Sequence, residues 1–565
     1  MKRRWIVRAI LPTIMVCHVA AQSGRSEKED FTAKVDEIFR KADTTVTPGC
    51  ALSVMRDGKI IYERGYGMAD LDHNVPITPA TVFHVASMSK QFTAASIVML
   101  AQQGKLSLDD PVQKYIPELP DFGAPVTIRE LIHHSSGLRD QWDLLSLAGW
   151  RYSLDLITDD DVMSVVTRQK GLNFPPNTKH LYSNTGYTLL AQIVKRVSGQ
   201  SLREYTTEHI FAPLGMTSTH FRDDHAEIVK NMAVGYEPAK ETFRSSITNF
   251  DTVGATSLLT TVEDLARWDE NFYEPRVGGQ ALVNQMLQRG KLNNGEQLDY
   301  AFGLVIGTYR GLKTVDHGGA DAGYRSDMIR FPDQHFSVAC LCNNAPANPS
   351  DLARKVAEVY LAKEMKPGEA KHTGDERSVE LTPEQMTSKT GMYLDSATDD
   401  VIRISVKDGK LRAAWGTEES TEELRARDES HFRLVNAPVD LTFEAPAGGP
   451  MKLVLKPEWD KASTFSAVES FAPTAAELSQ YAGIYSSEEI DPLYEIKVVD
   501  GGLVLNRLKN KPDKLMPVTR ELLIASVGNL RFTRDAKGEI DGFKLSTGRI
   551  LNMKFRRGRP AAAEN

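Results

Sequence analysis

Ser87-Met88-Ser89-Lys90 is the stretch on which the reading of this chain turns. Nowhere else in the 565 residues does a lysine follow a serine three positions later. The stretch opens a run in which Met88, Phe92, Ala95 and Met99 recur at helical spacing, closed by Gly104. Residues three apart share a helix face, so the Lys90 amine can reach the Ser87 hydroxyl. A serine hydroxyl is a weak nucleophile until a neighbouring base takes its proton, and a desolvated lysine can be that base. A place in the first helical turn adds the positive end of the helix dipole, which favours developing negative charge. An isolated S-x-x-K recurs by accident, so its meaning rests on the rest of the chain.

On the N-terminal side, Cys50 to Met55 and Ile60 to Tyr66 read as two strands joined by Asp57-Gly58, a hairpin signal. Helical patterns dominate from Ser87 to about Asp269, the clearest being Tyr187, Leu190, Ala191, Val194 and Val197, ended by Gly199. Strand patterns return at Ala301 to Ile306, Thr314 to His317, Met328 to Phe331 and Phe336 to Cys342, and a helix follows from Leu352 to about Ala362. Strands at both ends with helices between imply an α+β domain: one antiparallel sheet flanked by helices, with a helical insert.

A charged linker at 366–380 separates this domain, 22–365, from a region that repeats itself 92 residues apart. Gly391 and Tyr393 recur as Gly483 and Tyr485; Asp408-Gly409 recurs as Asp500-Gly501, and Lys452-Leu453 as Lys544-Leu545. Short alternating strands with Asp-Gly turns predict two small all-β barrels, at 381–470 and 474–557.

The first 21 residues read as a cleavable secretory signal. Lys2, Arg3, Arg4 and Arg8 precede an apolar stretch from Ala9 to Val16, with small residues at Val19-Ala20-Ala21. The expected location is periplasmic or secreted. No later run reaches transmembrane length. The net charge of −7, more negative once the basic leader is gone, excludes nucleic acid as an expected partner. Of the remaining cysteines, Cys50, Cys340 and Cys342, the last two alternate on one strand face. Small buried thiols are expected, with no disulfide framework and no metal site.

Two further elements bear chemistry. Tyr182-Ser183-Asn184 lies just before the Tyr187 helix; a phenol near a lysine can shuttle a proton, and an asparagine amide can hold a carbonyl. His317-Gly318-Gly319 ends a strand and runs into Ala320-Asp321-Ala322-Gly323; glycines there let a substrate backbone approach, and an exposed N–H can face an oxyanion.

In order and setting, these three elements resemble the penicillin-recognising serine hydrolases, and specifically their class C β-lactamase-like branch. Phe83 to Ser87, Leu131 to Leu138 and Ala212-Pro213-Leu214-Gly215-Met216 are similar to that branch as well. The resemblance spans about residues 35–362 and implies a β-lactamase/transpeptidase-like domain, followed here by lipocalin-like barrels. It implies that Ser87 is acylated, that Lys90 or Tyr182 is the base, and that Tyr182 passes a proton to the leaving group. Asn184 would bind the acyl-side amide, His317, Gly318 and Gly319 would line the substrate site, and the N–H groups of Ser87 and Ala320 would form the oxyanion hole. No cofactor is implied; the partner is a small-molecule or peptide substrate, and oligomeric state is left open.

One departure bears on substrate. His317 stands where the family usually carries a lysine facing the substrate carboxylate, which disfavours β-lactams and D-Ala-D-Ala peptides. Amides and esters lacking that carboxylate are favoured instead; the alternatives are a true β-lactamase or D-Ala-D-Ala carboxypeptidase and, in another class, an inactive hydrolase-fold scaffold or cell-wall binding protein. One catalytic domain with two barrels resembles bacterial D-aminopeptidases, in which a barrel supplies a loop to the cleft. The literal Lys389-Thr390-Gly391 is a decoy, since its glycine is explained by the repeat at Gly483.

Overall fold

A computed structural model describes residues 23–367, 379–437, 439–457 and 461–558. The expected signal at 1–21 and most of the linker at 366–380 lie outside the described residues.

The N-terminal domain is organised by a six-stranded antiparallel sheet. Its strands are β1 (Cys50–Arg56), β2 (Lys59–Tyr66), β3 (Val305–Tyr309), β4 (Leu312–Asp321), β5 (Tyr324–Phe331) and β6 (Phe336–Cys342), in the spatial order β3-β4-β5-β6-β1-β2. Asp57 and Gly58 both take positive φ between β1 and β2, as a tight hairpin turn demands. The apolar run of β1 is buried on both faces because helices cover both. On one side α1 (Ser23–Phe39) and α5 (Pro349–Leu361) pack Val35, Phe39, Val356 and Leu361 against Leu52, Val54, Ile329 and Val338. On the other lies the helical body, with α2 (Lys90–Gln102), α3 (Asn184–Ser198) and α4 (Val262–Glu270); Phe92 of α2 meets Trp268 of α4 with ring centroids 4.8 Å apart.

The cysteines depart from expectation. β1 and β6 pair with Cys50 directly opposite Cys342, and the two form a disulfide. The partners are 292 residues apart and meet only through strand register. Among the described residues Cys340 alone remains a buried thiol.

Each C-terminal repeat closes into an eight-stranded antiparallel barrel, from Gly391 to Val468 and from Gly483 to Arg557. Each is entered by a short helix with the same capping box, Thr382 with Gln385 and Thr474 with Glu477. Each also pins its first strand by the same bond: Tyr393 Oη donates to the Lys389 carbonyl and Tyr485 Oη to the Tyr481 carbonyl, both at 2.8 Å. Lys389-Thr390-Gly391 is thus part of a barrel entrance. Barrel 1 has a core of its own, whereas the core of barrel 2 is continuous with that of the N-terminal domain.

Candidate active site

Ser87 sits in a single 3-10 turn, Ala86–Ser89, and the α-helix proper begins at Lys90. The sequence pattern had placed the helix start at Ser87. The backbone bends sharply first: Ala86 is held at φ +48, a left-handed conformation costly for a residue with a Cβ. Surrounding bonds hold this turn. Ser89 Oγ donates to the Ala86 carbonyl at 2.5 Å and accepts from the Leu258 N–H at 3.0 Å, while Ser326 Oγ of β5 donates to the Val85 carbonyl at 2.8 Å. Ser87 is half-buried between fully buried neighbours.

Lys90 is fully buried. Its Nζ lies 3.1 Å from Ser87 Oγ, 2.8 Å from Asn184 Oδ1 and 2.7 Å from the Ala255 carbonyl, under the rings of Tyr182 and Tyr187. Burial pulls its pKa down to about 7, against the attraction of Asp321 and Asp140 and assisted by the positive charge of Arg549. Of the three partners, only the Ser87 hydroxyl can donate. A neutral amine therefore gives its two N–H bonds to Asn184 Oδ1 and the Ala255 carbonyl and turns its lone pair to Ser87 Oγ–H.

Tyr182 shares this space. Burial pushes its phenol well above the usual range, opposed by the adjacent Ser87 hydroxyl and by Arg549, so it stays protonated near neutrality. The His134 ring lies 4.1 Å from the Tyr182 ring and fixes its orientation; His134 Nδ1 accepts the Ser183 N–H at 3.1 Å. Asn184, the first residue of α3, is placed differently from the expected role. Its side chain bridges Lys90 and the buried Asp140, whose Oδ2 accepts Asn184 Nδ2 at 2.9 Å and Asn184 N at 2.6 Å. The asparagine orients the lysine.

β4 brings the glycine-rich strand end alongside. A Cβ on Gly319 would lie 2.3 Å from the Val85 carbonyl oxygen and 2.9 Å from Ser87 N, so only glycine lets β4 approach Ser87 this closely. Gly318 has looser surroundings, and Ala320 is exposed next along the strand. His317 is buried and spent. Its Nδ1–H donates to the Gly318 carbonyl at 2.6 Å, so Nε2 accepts the Tyr300 hydroxyl at 3.0 Å. Burial and the proximity of Lys90 pull its pKa to about 4, so the imidazole is neutral at neutral pH.

Three contributors escaped the sequence reading. Asp321, the last residue of β4, is buried and accepts hydrogen bonds from Thr256 and Tyr152, and pairs with His84 Nε2 at 2.9 Å. Burial opposes its charge, yet these partners hold the carboxyl below its usual range. Asp140, a helix N-cap, receives Trp142 N at 3.0 Å as well as Asn184. The third is Arg549, from the Thr547–Ile550 hairpin of barrel 2, whose guanidinium carbon stands 5.1 Å from the centre of the Tyr182 ring. Only the repeat carried a hint: Gly548-Arg549 occurs where barrel 1 has Lys456-Pro457.

Known proteins resemble this chain. The chain is similar to a D-aminopeptidase of Gluconobacter oxydans (strain 621H), 27% identical over 460 residues, covering 81% of this chain and 83% of that protein. A D-aminopeptidase of Brucella anthropi is 26% identical over 532 residues, 90% of this chain and 95% of its own, so the likeness runs through both barrels. Among solved structures, the octameric penicillin-binding protein homologue from Pyrococcus abyssi superposes with a TM-score of 0.54 at 25% identity, over 78% of this chain and all of that one. The family model described as Beta-lactamase matches residues 35–363, more than half of the chain, which therefore belongs to the β-lactamase family.

Proposed function

We propose that the protein is a serine hydrolase that cleaves amide bonds through an acyl-enzyme on Ser87, of the class C-like branch and of D-aminopeptidase type. The observation that carries this is the bonding of Lys90: a buried amine with a pKa of about 7, two carbonyl-type acceptors for its protons, and Ser87 Oγ in the third direction. Lys90 takes the Ser87 proton as Oγ attacks the carbonyl carbon. Tyr182, a neutral phenol at working pH, hands its proton to the departing nitrogen and is reprotonated from Lys90. Raising the phenol's pKa weakens the case for a tyrosinate base and favours Lys90 in that role. The C–N bond breaks, the amine leaves, and water attacks the ester by the same path reversed.

The N–H groups of Ser87 and Ala320 are assigned to the oxyanion, the approach of β4 permitted by Gly319 supporting that pairing. His317, neutral and saturated by Tyr300 and Gly318, itself supplies no charge to a substrate. The similarity to D-aminopeptidases through both barrels supports a D-residue on the acyl side. A periplasmic or secreted location is proposed with it, and the Cys50–Cys342 disulfide supports passage through an oxidising compartment.

The test is covalent. A fluorophosphonate should label the purified protein and not Ser87→Ala, and p-nitroaniline should be released from D-alanyl-p-nitroanilide only by the former. Labelling that survives the substitution would refute the assignment of the nucleophile.

A further inference from the structure

Beside the site stands a positive charge to which the mechanism above gives no contact with substrate. His317 is neutral, and the Lys90 amine is enclosed by three partners. Arg549 is permanently charged, and its side chain retains 40% exposure. It is delivered to the site by a rigid device. Gly548 at φ +50 turns the hairpin, the Arg549 N–H donates to Asp143 Oδ2 at 2.7 Å, and Asn173 brackets the loop. Asn173 Nδ2 donates to the Arg549 carbonyl and Asn173 Oδ1 accepts the Leu551 N–H, both at 2.8 Å.

The guanidinium makes one polar contact among the described residues, Nη1 to Asp140 Oδ2 at 3.3 Å. That carboxylate already accepts Asn184 N, Asn184 Nδ2 and Trp142 N, all at 3.0 Å or less, so it does not depend on the arginine alone. Nε and Nη2 of Arg549 have no partner among the described residues. Asp143 meets the loop backbone and Asp321 is engaged by His84, Thr256 and Tyr152. A planar fork with free donors, held over an aromatic ring, is the arrangement that takes a carboxylate by two parallel hydrogen bonds.

We propose that Arg549 binds a carboxylate on the leaving-group side of the scissile amide, so that the preferred substrates are short peptides releasing a C-terminal residue with its free α-carboxylate. The side follows from Tyr182: the phenol that protonates the departing nitrogen belongs to the ring the guanidinium covers. An α-carboxylate lies two bonds beyond that nitrogen, within reach of the fork. The cation absent at His317 is thereby supplied from the second barrel. This inference rests on the serine-hydrolase reading and narrows its substrate.

D-alanyl-glycine and D-alanyl-glycinamide differ only in the carboxylate. The ratio of kcat/KM for the acid over the amide should fall roughly 10- to 100-fold in Arg549→Gln and partly recover in Arg549→Lys, in the full-length protein. A purely structural Arg549 would depress both substrates together, and an unchanged ratio overturns the proposal. Binding of the same two compounds to Ser87→Ala, with and without Arg549→Gln, reads the contact without turnover. Tighter binding of the acid that disappears with the arginine supports the proposal, and equal binding of acid and amide overturns it. Absence of a Ser87-dependent adduct with fluorophosphonate would instead overturn the hydrolase reading, leaving the binding result to decide on Arg549.

Discussion

The two barrels descend through the same eight strands, share the capped entry helix and the tyrosine that pins the first strand, and differ in what they touch. Equivalent positions take part in docking in both. Asp399 of barrel 1 binds Arg531 of barrel 2, while its counterpart Asp491 binds Arg168 of the catalytic domain at 2.6 Å. Barrel 1 therefore leans on barrel 2 as barrel 2 leans on the enzyme. The Asp491 pair is exposed, but barrel 2 adds deeper contacts. Glu489 pairs with Arg139 at 2.7 Å with both side chains 5% exposed or less, Tyr494 Oη donates to the Leu147 carbonyl, and the Arg549 hairpin enters the active site. The difference teaches that duplication supplied a docking mode, and that a few residues at one turn converted one copy from a neighbour into a part of the site.

The largest effect expected from this contrast is on folding. Excising barrel 2 cuts a continuous apolar core, so the remainder should aggregate on expression. Excising barrel 1 uncovers only a small seam around Val518, Leu522 and Ile524, and should leave a soluble, Ser87-labelled enzyme. Solubility and fluorophosphonate labelling of the two deletions decide it; equal behaviour would erase the distinction between the barrels.

Single residues sharpen the same comparison. Glu489→Ala leaves the Arg139 guanidinium buried without a counter-charge and should cost about 3 kcal/mol of stability in denaturant unfolding. Asp399→Ala leaves Arg531, about a third exposed, free to hydrate, and should cost about 1 kcal/mol or less. Comparable losses would mean that the barrels dock with equal commitment.

A pH profile separates them again. On the proposed mechanism Lys90 serves as base only when unprotonated, so kcat/KM should rise about tenfold per unit below about pH 7 and level off above it. The charge of Arg549 helps to hold that pKa down, so Arg549→Gln should move the rising limb to higher pH with D-alanyl-glycinamide. Asp399→Ala, remote from the site, should leave the limb in place. An unmoved limb in Arg549→Gln would remove barrel 2 from the electrostatics of the base.

What was legible in the sequence follows the reach of each interaction. Ser87 and Lys90 are three residues apart on one turn, and the sheet strands carry their apolar runs openly, so both were readable from local pattern. The repeat was readable because turns and tyrosines recur at a fixed offset. The strain at Ala86 left no compositional trace, since alanine is an ordinary residue in an α-helix. Asp140, Asp321 and Arg549 act through partners up to several hundred residues away, and nothing next to them in the chain announces it. The Cys50–Cys342 bond was hidden for the same reason: it depends on the register of β1 against β6, while the visible signal placed Cys340 and Cys342 together. Asn184 was found by its motif, but the motif could not tell whether its amide faced a substrate or the lysine.

The smallest expected effect concerns the decoy triad. Lys389-Thr390-Gly391 has the letters of a catalytic motif and lies in barrel 1, at the junction of its entry helix and first strand. Lys389 Nζ donates to the Gln385 carbonyl at 3.3 Å and lies 5.9 Å from the centre of the Phe443 ring, contacts within its own barrel. The carbonyl of Lys389, which any residue provides, accepts the pinning bond from Tyr393. Lys389→Met keeps the aliphatic stem against the barrel and should change stability by less than about 1 kcal/mol, with the rate of Ser87 acylation unaltered. His317→Ala, by contrast, frees the Tyr300 hydroxyl beside Tyr182 and should slow acylation. If the two substitutions exchanged their effects, the charged triad in barrel 1 would be functional after all, and the division of labour between the barrels would have to be redrawn from the first copy outward.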